Sequence, residues 1–398
     1  MLEGIRVVEH ATYMAAPGAG SILSDWGADV VKIEPPGGDP IRKFFQTIGT
    51  DITDNPVFAF DNRGKKSIVL DTRTEEGQAI MRQLAGDADV FLTNVRPGGL
   101  ARSGLDYDSL KATNPKLVYC SLTGYGLEGE DKDRPGFDVA SFWARSGVAA
   151  LTIPKGEEPY ALRTAFGDHT TSIAAAAGIC AALVEATKTG KGRLVEASLL
   201  RTALYAMGSD FAIQLFFGRI GSTKSRAEQI QPLMNFFKSS DGSWICIVSR
   251  QGDVDWAPIC RATGLDHLID DERFTKAKGR RANSADLVGL LDEAFATFTK
   301  AEMAERLDAE SIAWAPVQTL GEVAKDPQVM AAGGITTTPS ESGGDPFQSP
   351  ASPIRFPGAD DGPKGPAPKP GEHTRDVLEQ CGLSGDQIDD YFGRGIVA

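Results

Sequence analysis

The sequence predicts an α/β fold with an open parallel sheet. Three strand–helix units follow one another within the first ~125 residues, which is the order expected when each strand of a parallel sheet returns through a helix. A hairpin signal and a helical region occupy the middle of the chain. With 398 residues the chain is longer than one small core usually serves, so we expect two domains, or one large domain with an insertion.

The first unit covers residues 4–34. Its elements are a strand at Ile5–Val8, a helix that includes Pro17 in its first turn and continues through Ser21–Trp26, a helix end at Gly27, and a strand at Ala28–Ile33. The turn that opens this helix contains Gly18-Ala19-Gly20, which resembles the start of a dinucleotide-binding fingerprint. That fingerprint needs a glycine where Leu23 stands and an acidic residue about 20 positions on, and Glu34 comes too early. A nicotinamide-cofactor site is therefore not favoured.

The later units repeat the pattern. Strands are predicted at Ser67–Asp71, Val90–Thr93 and Leu117–Leu122, and helices at Thr74–Leu84 and Tyr107–Ala112. Ligands of open parallel sheets bind beyond the carboxyl ends of the strands. The segments that leave these ends are residues 11–15, 70–73, 93–99 and 123–126, and three of the four carry Gly or basic residues. Such residues suit a phosphate-bearing ligand, although they also serve simply to turn the chain.

A run of small and aliphatic residues, Ser172–Ala186, predicts a buried helix that is too short to span a bilayer. Asp168 precedes this run, and Asp is a preferred N-cap because its carboxylate accepts bonds from the free N–H groups of the first turn. The same N–H groups and the helix dipole are expected to keep Asp168 ionised, which makes it a candidate carboxylate nucleophile. Gly167 would allow a ligand or another backbone to come close.

The rest of the chain is less regular. Leu194–Met207 is apolar and predicts another helix, and the pattern weakens between Ser209 and Ile230. Leu233–Trp244 and Ile245–Val248 read as hairpin strands, with an Asp-Gly turn at 241–242. Residues 333–371 are rich in Gly, Pro, Ser and Asp and predict an extended crossing segment without a folded unit of its own.

Charge and composition exclude several classes of protein. The net charge of −13 disfavours nucleic-acid binding. The first ten residues lack a basic stretch followed by an apolar one, so no secretory signal or membrane association is expected. Five scattered cysteines without CxxC spacing indicate a reducing, cytoplasmic compartment. Four histidines without HxxxH or HExxH spacing give no support for a metal site.

Eight short motifs follow one another along the chain: Gly27–Glu34 (GADVVKIE), Lys66–Asp71 (KSIVLD), Asn94–Gly98 (NVRPG), Leu117–Tyr119, Gly124–Gly126, Gly167-Asp168, Gly371–Thr374 (GEHT) and Val377-Leu378. With these motifs the chain resembles, over nearly its whole length, the class III CoA-transferases, also called the formyl-CoA transferase and carnitine-CoA transferase family. The segments Pro135–Asp138 and Ala144–Gly147 look closest to the 2-hydroxyacyl or aryl-lactate CoA-transferase branch.

The resemblance implies a homodimer whose two chains are threaded through each other like linked rings. Each chain would contribute a large Rossmann-like domain, built from both of its ends, and a smaller α+β domain from its middle. The corresponding segments are 1–208 (large domain), 209–230 (linker), 231–332 (small domain), 333–370 (extended linker) and 371–398 (completion of the large domain).

The resemblance also implies the chemistry. Asp168 would be the nucleophile that forms a mixed anhydride and then an aspartyl-CoA thioester, with Asp138 as an assisting residue or only a cap. Coenzyme A would be a substrate, and no metal or other cofactor would be needed. The positions that match the family's CoA contacts are Met14, Ala15, Leu70, Arg73, Asn94, Arg96 and Arg102. Arg73 and Arg102 would hold phosphates, since a planar guanidinium suits them.

Two departures bear on the substrates. Met14 stands where formyl-CoA transferase has Gln, and residues 228–236 replace a glycine-rich loop that some members place over the active site. Oxalate and formyl-CoA are therefore disfavoured, and a medium-sized, 2-hydroxy or aryl acid is expected as the acceptor.

Three other functions fit the sequence less well. An α-methylacyl-CoA racemase of the same superfamily carries a His where this chain has Phe137, and Phe cannot transfer a proton; His169 is the remaining titratable neighbour. A CoA-binding protein without turnover is disfavoured by the intact Asp168. A nicotinamide dehydrogenase is the most distant alternative.

Overall fold

The computed structural model describes residues 1–50, 52, 54–163 and 165–398. Contacts within the chain divide it into two compact units. The larger unit comprises Met1–Ala149, Tyr160–Arg219 and Pro327–Ala398, so both ends of the chain contribute to it. The smaller unit comprises Ala150–Pro159 and Ile220–Asp326.

A six-stranded parallel sheet forms the centre of the larger unit. Its strands are β1 (Arg6–His10), β2 (Asp29–Glu34), β3 (Lys66–Val69), β4 (Val90–Thr93), β5 (Val118–Thr123) and β6 (Leu194–Ser198). They lie side by side in the order β3-β2-β1-β4-β5-β6. The chain therefore winds outward in both directions from the β1–β4 pair, and the crevice beyond the carboxyl ends of these two strands is where such sheets bind ligands.

Ten helices occur in the first 217 residues, and all of them except the seventh, which runs across the unit boundary after Ala149, belong wholly to the larger unit. They are α1 (Ala15–Asp25), α2 (Phe44–Thr47), α3 (Pro56–Asn62), α4 (Glu75–Gly86), α5 (Pro97–Arg102), α6 (Tyr107–Thr113), α7 (Val148–Thr152), α8 (Phe166–Thr189), α9 (Leu199–Ala206) and α10 (Gly208–Phe217). A π-helical segment, Val139–Arg145, follows Asp138. These counts refer to the part of the chain that the structure describes.

The smaller unit contains a three-stranded antiparallel sheet covered by helices. Its strands are β7 (Met234–Lys238), β8 (Trp244–Val248) and β9 (Ala313–Pro316), and its helices are α11 (Trp256–Thr263), α12 (Ala277–Ala282), α13 (Ser284–Phe295), α14 (Lys300–Ala309) and α15 (Leu320–Val323). The predicted hairpin is present as β7 and β8. Its core contains Phe237, Ile245 and Leu291, all fully buried.

The C-terminal part returns to the larger unit. It contains α16 (Pro327–Ala331), the antiparallel pair β10 (Ile335–Thr338) and β11 (Phe347–Pro350), and the helices α17 (Thr374–Gln380) and α18 (Gly385–Gly393). The tail is fixed to the sheet because the Asp71 N–H donates to the carbonyl of Ile396 at 2.8 Å.

The alternation of side chains along the strands builds one core on each face of the large sheet. Val7 and Val90 pack with α1 and α8 on one face. Val8 and Phe91 pack on the other face with α4 and with Leu378 of the C-terminal tail. All of these residues are buried, which explains why the strands read as continuous apolar runs.

Three expectations about the elements are corrected. Leu194–Met207 is not one helix: β6 pairs with β5, and Ser198 then starts α9 by accepting the Arg201 N–H on its Oγ at 3.1 Å. Residues 209–230 begin with a helix, α10. Residues 333–371 contain the strand pair β10 and β11.

Helix α8 also differs from its expected form. It has 24 residues and a stretch of mean hydropathy 1.4, so by length and composition it could span a membrane, contrary to the prediction for Ser172–Ala186. A single such helix is weak evidence, because core helices of soluble proteins have the same properties. Ala175, Ala176 and Ile179 of α8 are fully buried against α1 and the sheet, which identifies it as a core helix.

Candidate active site

Asp168 lies in the first turn of α8 and does not cap it. The helix begins at Phe166, and Ala165 occupies the N-cap position with a left-handed φ of 75°. The prediction that Asp168 is the N-cap is therefore wrong. The cap comes from outside the helix: the Gly167 N–H donates to Oδ1 of Asp138 at 3.1 Å.

Gly167 is required for this arrangement. A Cβ on residue 167 would lie 2.3 Å from Oδ1 of Asp138 and 2.3 Å from Cγ of Phe142, distances that real Cβ atoms do not reach. The π-helical segment that begins after Asp138 carries Phe142 against the helix start. The glycine thus permits a close contact between a buried carboxylate and the end of α8.

The electrostatics of Asp168 differ from the expectation of a strongly ionised carboxylate. Burial raises its pKa to about 7, and the neighbouring charge of Asp138 adds to this increase. The pKa of Asp138 is also raised by burial, although backbone N–H groups at the start of α8 oppose that rise. Because Asp138 takes the Gly167 N–H, the helix start does less to stabilise the Asp168 anion than the sequence predicted.

Asp168 faces a pocket of about 110 Å³ at the carboxyl ends of β1, β4 and β5. The pocket is lined by three residues after β1 (Tyr13, Met14, Ala15), three after β4 (Asn94, Arg96, Pro97), the end of β5 (Leu122, Thr123, Gly124), four of the following loop (Lys132, Arg134, Gly136, Phe137), and Leu199. The side chain of Asn94 ties two of these loops together. Its Oδ1 accepts the Thr12 N–H at 3.1 Å, and its Nδ2 donates to the Thr12 carbonyl at 2.7 Å.

The structure brings four of the predicted CoA contacts to the same pocket as Asp168: Met14, Ala15, Asn94 and Arg96. The other three lie elsewhere. Leu70 is 1% exposed within the core beside the C-terminal tail. The Arg73 side chain is 81% exposed and pairs with Asp71 at 2.7 Å, and Arg102 is exposed at the end of α5.

Tyr13 lines the pocket and lies in the segment 11–15 expected at this edge of the sheet, but it was not among the predicted CoA contacts. Its φ of 65° is left-handed, which is uncommon for a residue with a side chain and marks a strained position. The Tyr13 N–H donates to Oδ1 of Asp39 at 3.2 Å, which helps to hold the backbone in this form. The ring meets Phe137 edge to face with centroids 5.7 Å apart, and both side chains are substantially exposed, at 43% and 59%.

A buried ion network supports this strained backbone. Lys32 Nζ lies 2.9 Å from Asp39 Oδ2 and 3.2 Å from Glu9 Oε1, and Glu9 Oε2 in turn binds Lys65 Nζ at 2.7 Å. All four side chains are fully buried. Gly20 leaves room for the network, because a Cβ there would lie 1.9 Å from Glu9 Oε2.

Gly18 and Gly20 lie inside helix α1, and not in a phosphate-binding turn.

Lys132 and Arg134 were also missed by sequence analysis. They lie in the polar loop that leaves β5, where acidic residues are their neighbours in the sequence. Their position in a loop at the carboxyl end of a strand was the one available signal.

In the described part of the chain, no group of three or more His, Cys, Asp and Glu residues has the arrangement of a metal site.

Comparisons with known proteins point to one family. Residues 2–374 match the model of CoA-transferase family III. The chain is 33% identical to the (R)-2-hydroxy-4-methylpentanoate CoA-transferase of Clostridioides difficile, over 100% of this chain and 99% of that protein. It is 35% identical to the cinnamoyl-CoA:phenyllactate CoA-transferase of Clostridium sporogenes, over 83% and 81% of the two chains.

A solved structure shares the fold. The crystal structure of a CAIB/BAIF family protein from Brucella suis superposes with a TM-score of 0.84 at 32% identity, covering 96% of this chain and 99% of that one. The resemblance of the motifs to the class III CoA-transferases is therefore confirmed, and so is their similarity to the 2-hydroxyacyl and aryl-lactate branch. The chain belongs to CoA-transferase family III and is an enzyme of the CoA-transferase class.

Proposed function

We propose that the enzyme moves coenzyme A from an acyl-CoA to a free carboxylic acid through covalent intermediates on Asp168. One observation carries the proposal: among the described residues that line the pocket, Asp168 is the one carboxylate, and it lies there with Met14, Ala15, Asn94 and Arg96. A carboxylate can attack a thioester, and splitting the exchange into covalent steps lowers each barrier.

The first half-reaction consumes the donor. A carboxylate oxygen of Asp168 attacks the thioester carbonyl, the C–S bond breaks, and CoA leaves as a thiolate, which gives a mixed anhydride. The thiolate then attacks the Asp168 carbonyl carbon of the anhydride. That step breaks a C–O bond, releases the donor acid as a carboxylate, and leaves an aspartyl-CoA thioester.

The second half-reaction repeats these steps with the acceptor. The acceptor carboxylate attacks the aspartyl thioester and expels CoA thiolate. The thiolate then attacks the acceptor's carbonyl carbon and restores the Asp168 carboxylate. Every bond broken is replaced, so no water, proton, metal or redox cofactor is consumed. Water must be excluded while the anhydride exists, since hydrolysis would waste the thioester.

We assign the cationic residues of the pocket to coenzyme A. Arg96, Lys132 and Arg134 lie in loops after β4 and β5, on the same side of the sheet as Asp168. Arginine and lysine at such a sheet edge suit the phosphates of CoA. Arg73 and Arg102 are exposed in the segments that leave β3 and β4, and we propose that they contact the part of CoA farthest from the thioester. The Leu70 side chain is buried in the core, so we assign it no contact with CoA.

We propose a 2-hydroxy acid with a branched or aryl side chain as the acceptor. Tyr13 and Phe137 form an exposed aromatic edge beside Asp168, which suits a flat or branched apolar group. Two relatives support this class, because their names specify 2-hydroxy-4-methylpentanoate and phenyllactate. Phe137 also argues against racemisation, since it puts a ring that carries no proton next to Asp168.

We further propose that the working enzyme is a homodimer with interlocked chains. Helix α10 supports the association of two chains, because its apolar residues Leu215, Phe216 and Phe217 are 70%, 83% and 67% exposed in the single chain. Exposed apolar patches of this kind mark interaction surfaces. Light scattering should give twice the 42.3 kDa of one chain; the mass of one chain would contradict the proposal.

The central assignment is tested by substitution of the nucleophile. Asp168→Asn should reduce CoA transfer at least ~1,000-fold, as expected when a covalent path is lost, while CoA binding changes little. Asp108→Asn is a matched control, because Asp108 lies in the first turn of α6 and is exposed. Transfer by Asp168→Asn at a rate near that of the native enzyme would overturn the assignment.

A further inference from the structure

His169 follows Asp168 directly, but its ring turns to a different element. Its Nε2 lies 3.1 Å from Oδ1 of Asp61, which belongs to α3. The ring of Phe60 contacts the imidazole edge to face, with centroids 5.1 Å apart and planes at 89°. These contacts fix the imidazole beside the first turn of α8, where Asp168 lies.

Asp61 is built into the core in a way that suits a positively charged partner. Its side chain is 1% exposed, and its Oδ2 has no hydrogen-bond partner among the described residues. Gly18 of α1 leaves the space, because a Cβ there would lie 3.2 Å from Asp61 Oδ1 and 2.6 Å from Ser172 Oγ. A buried carboxylate without compensation is costly, and burial raises the pKa of Asp61. The hydrogen bond and charge of His169 are the largest effects that oppose this rise, ahead of the charges of Lys65 and Lys32.

Other charged groups surround the pair. Asp168 lies on the same helix as His169, and Asp138 faces the helix start from the neighbouring segment. Lys65 and Lys32 lie beyond Asp61, but their two charges are balanced by Glu9 and Asp39.

Asp25 and Arg63 share the groove beside His169 and are paired with each other at 2.6 Å. Because that pair is internally neutral, the net charge that faces the imidazole is the negative charge of Asp61, Asp168 and Asp138.

These positions explain the pKa shifts of His169 and Asp168. Burial disfavours the charged imidazole, but the hydrogen bond and charge of Asp61, with the charges of Asp168 and Asp138, outweigh burial and raise the pKa of His169. In the opposite direction, burial and Asp138 raise the pKa of Asp168, and His169 lowers it. The two neighbours are thus coupled: each favours the charged form of the other.

We propose that His169, held by the buried carboxylate of Asp61, is a positioning residue that places a positive charge beside Asp168 and keeps it ionised against burial and Asp138. The proposal rests on Asp168 being the nucleophile. Asp138 and His169 then have opposite effects on Asp168. Asp138 makes the Asp168 carboxylate more basic, and His169 keeps enough of it deprotonated near neutral pH to attack.

The first test does not depend on turnover. The ring signals of the four histidines are titrated by NMR in the whole protein, and His169→Gln identifies the signal of His169 by its loss. We expect a pKa above the ordinary value for His169, and a fall of about one unit in Asp168→Asn. Asp108→Asn, a surface carboxylate, should leave it unchanged. A pKa of His169 that Asp168→Asn does not move would overturn the proposal.

The second test measures the acidic limb of the kcat/KM profile. His169→Gln keeps an amide donor for Asp61 but has no charge, so the limb should move to higher pH by about one unit, with activity recovered above it. His169→Arg, which is charged at every pH, should hold the limb at or below its native position. A uniform loss of rate at all pH values in His169→Gln would show a merely structural role.

The two tests separate the two proposals. If the native enzyme transfers no CoA between any acyl-CoA and acid, the proposed function fails, while the NMR titration still decides whether His169 and Asp168 are coupled.

Discussion

The Asp138 carboxylate accepts the backbone N–H of Gly167 at 3.1 Å, one residue before Asp168. This bond satisfies the start of α8 from outside, so Asp168 lies in the first turn without serving as its cap. Burial and the charge of Asp138 then raise the pKa of Asp168 to about 7. A carboxylate with a raised pKa is a stronger nucleophile once it is ionised, and neutral pH still provides a large ionised fraction.

Replacing Asp138 by Asn should lower the pKa of Asp168, because it removes a like charge but keeps an oxygen that can accept the Gly167 N–H. We expect the acidic limb of the kcat/KM profile to move down by about one pH unit; burial of Asp168 remains as the larger cause of its raised pKa. Asp138→Ala removes the acceptor as well and should also cost about 1 kcal/mol in the free energy of unfolding. A limb that stays in place in Asp138→Asn would show that Asp138 only caps the helix.

Gly167→Ala should destabilise the fold and disturb the site together. The new Cβ would lie 2.3 Å from both Asp138 Oδ1 and Phe142 Cγ, so one of these groups must move. We expect a loss of about 1–3 kcal/mol in urea unfolding, as for overpacked cores. Gly86→Ala at the end of α4 is the matched control, because its Cβ would meet no atom within 4 Å. Equal stability of the two variants would contradict the close contact.

Replacing Asp168 by Asn should stabilise the folded protein above neutral pH. The folded-state pKa of Asp168 is about 7 against an ordinary 3.8, so between these values the folded state binds the proton more tightly than the unfolded state. The native protein therefore loses stability as the pH rises from about 4 to 7, and the full cost persists above pH 7. We expect Asp168→Asn to be more stable by about 1–3 kcal/mol at pH 8, with the difference gone by pH 4. Urea denaturation across this range measures it, and equal stabilities at pH 8 would exclude a raised pKa.

Phe137→Ala should weaken the selection of the acceptor. Loss of the exposed ring beside Asp168 removes apolar contact with an aryl or branched side chain, so kcat/KM for such acids should fall about 10-fold. A short acid such as acetate should change little. Phe392→Ala on α18 is a control for the loss of a partly exposed ring. An equal loss for short and aryl acids would mean that Phe137 supports the site generally and does not select the acyl group.

Local sequence predicted the elements whose pattern is local. Strands β1 to β5 were found from short aliphatic runs bounded by turns, and β4 agrees at both ends. The boundary between strand β6 and helix α9 was missed because both segments are apolar. It is marked only by Ser198, whose Oγ accepts the Arg201 N–H at the start of the helix. Helix α8 was placed six residues too late, since Phe166–Thr171 is more polar than the alanine run that follows.

The site residues that lie within a sequence motif were predicted. Those that the fold brings together from distant segments were missed. Asp168 and Asn94 lie in recognisable motifs, and both reach the pocket. The left-handed backbone of Tyr13 is held in part by Asp39, which belongs to a buried ion network whose members come from three segments, so no local pattern reveals it. The same holds for Asp61, which meets His169 across 108 positions of sequence.

The most direct test of the account is to trap the intermediate on Asp168. The enzyme is mixed with a panel of branched, aryl and short acyl-CoAs in the presence of hydroxylamine, and the peptides are mapped by mass spectrometry. We expect a hydroxamate on Asp168 that requires the acyl-CoA and is absent from Asp168→Asn. An enzyme that transfers CoA without any such adduct, or with the adduct on another residue, would contradict the assignment of Asp168 as the nucleophile.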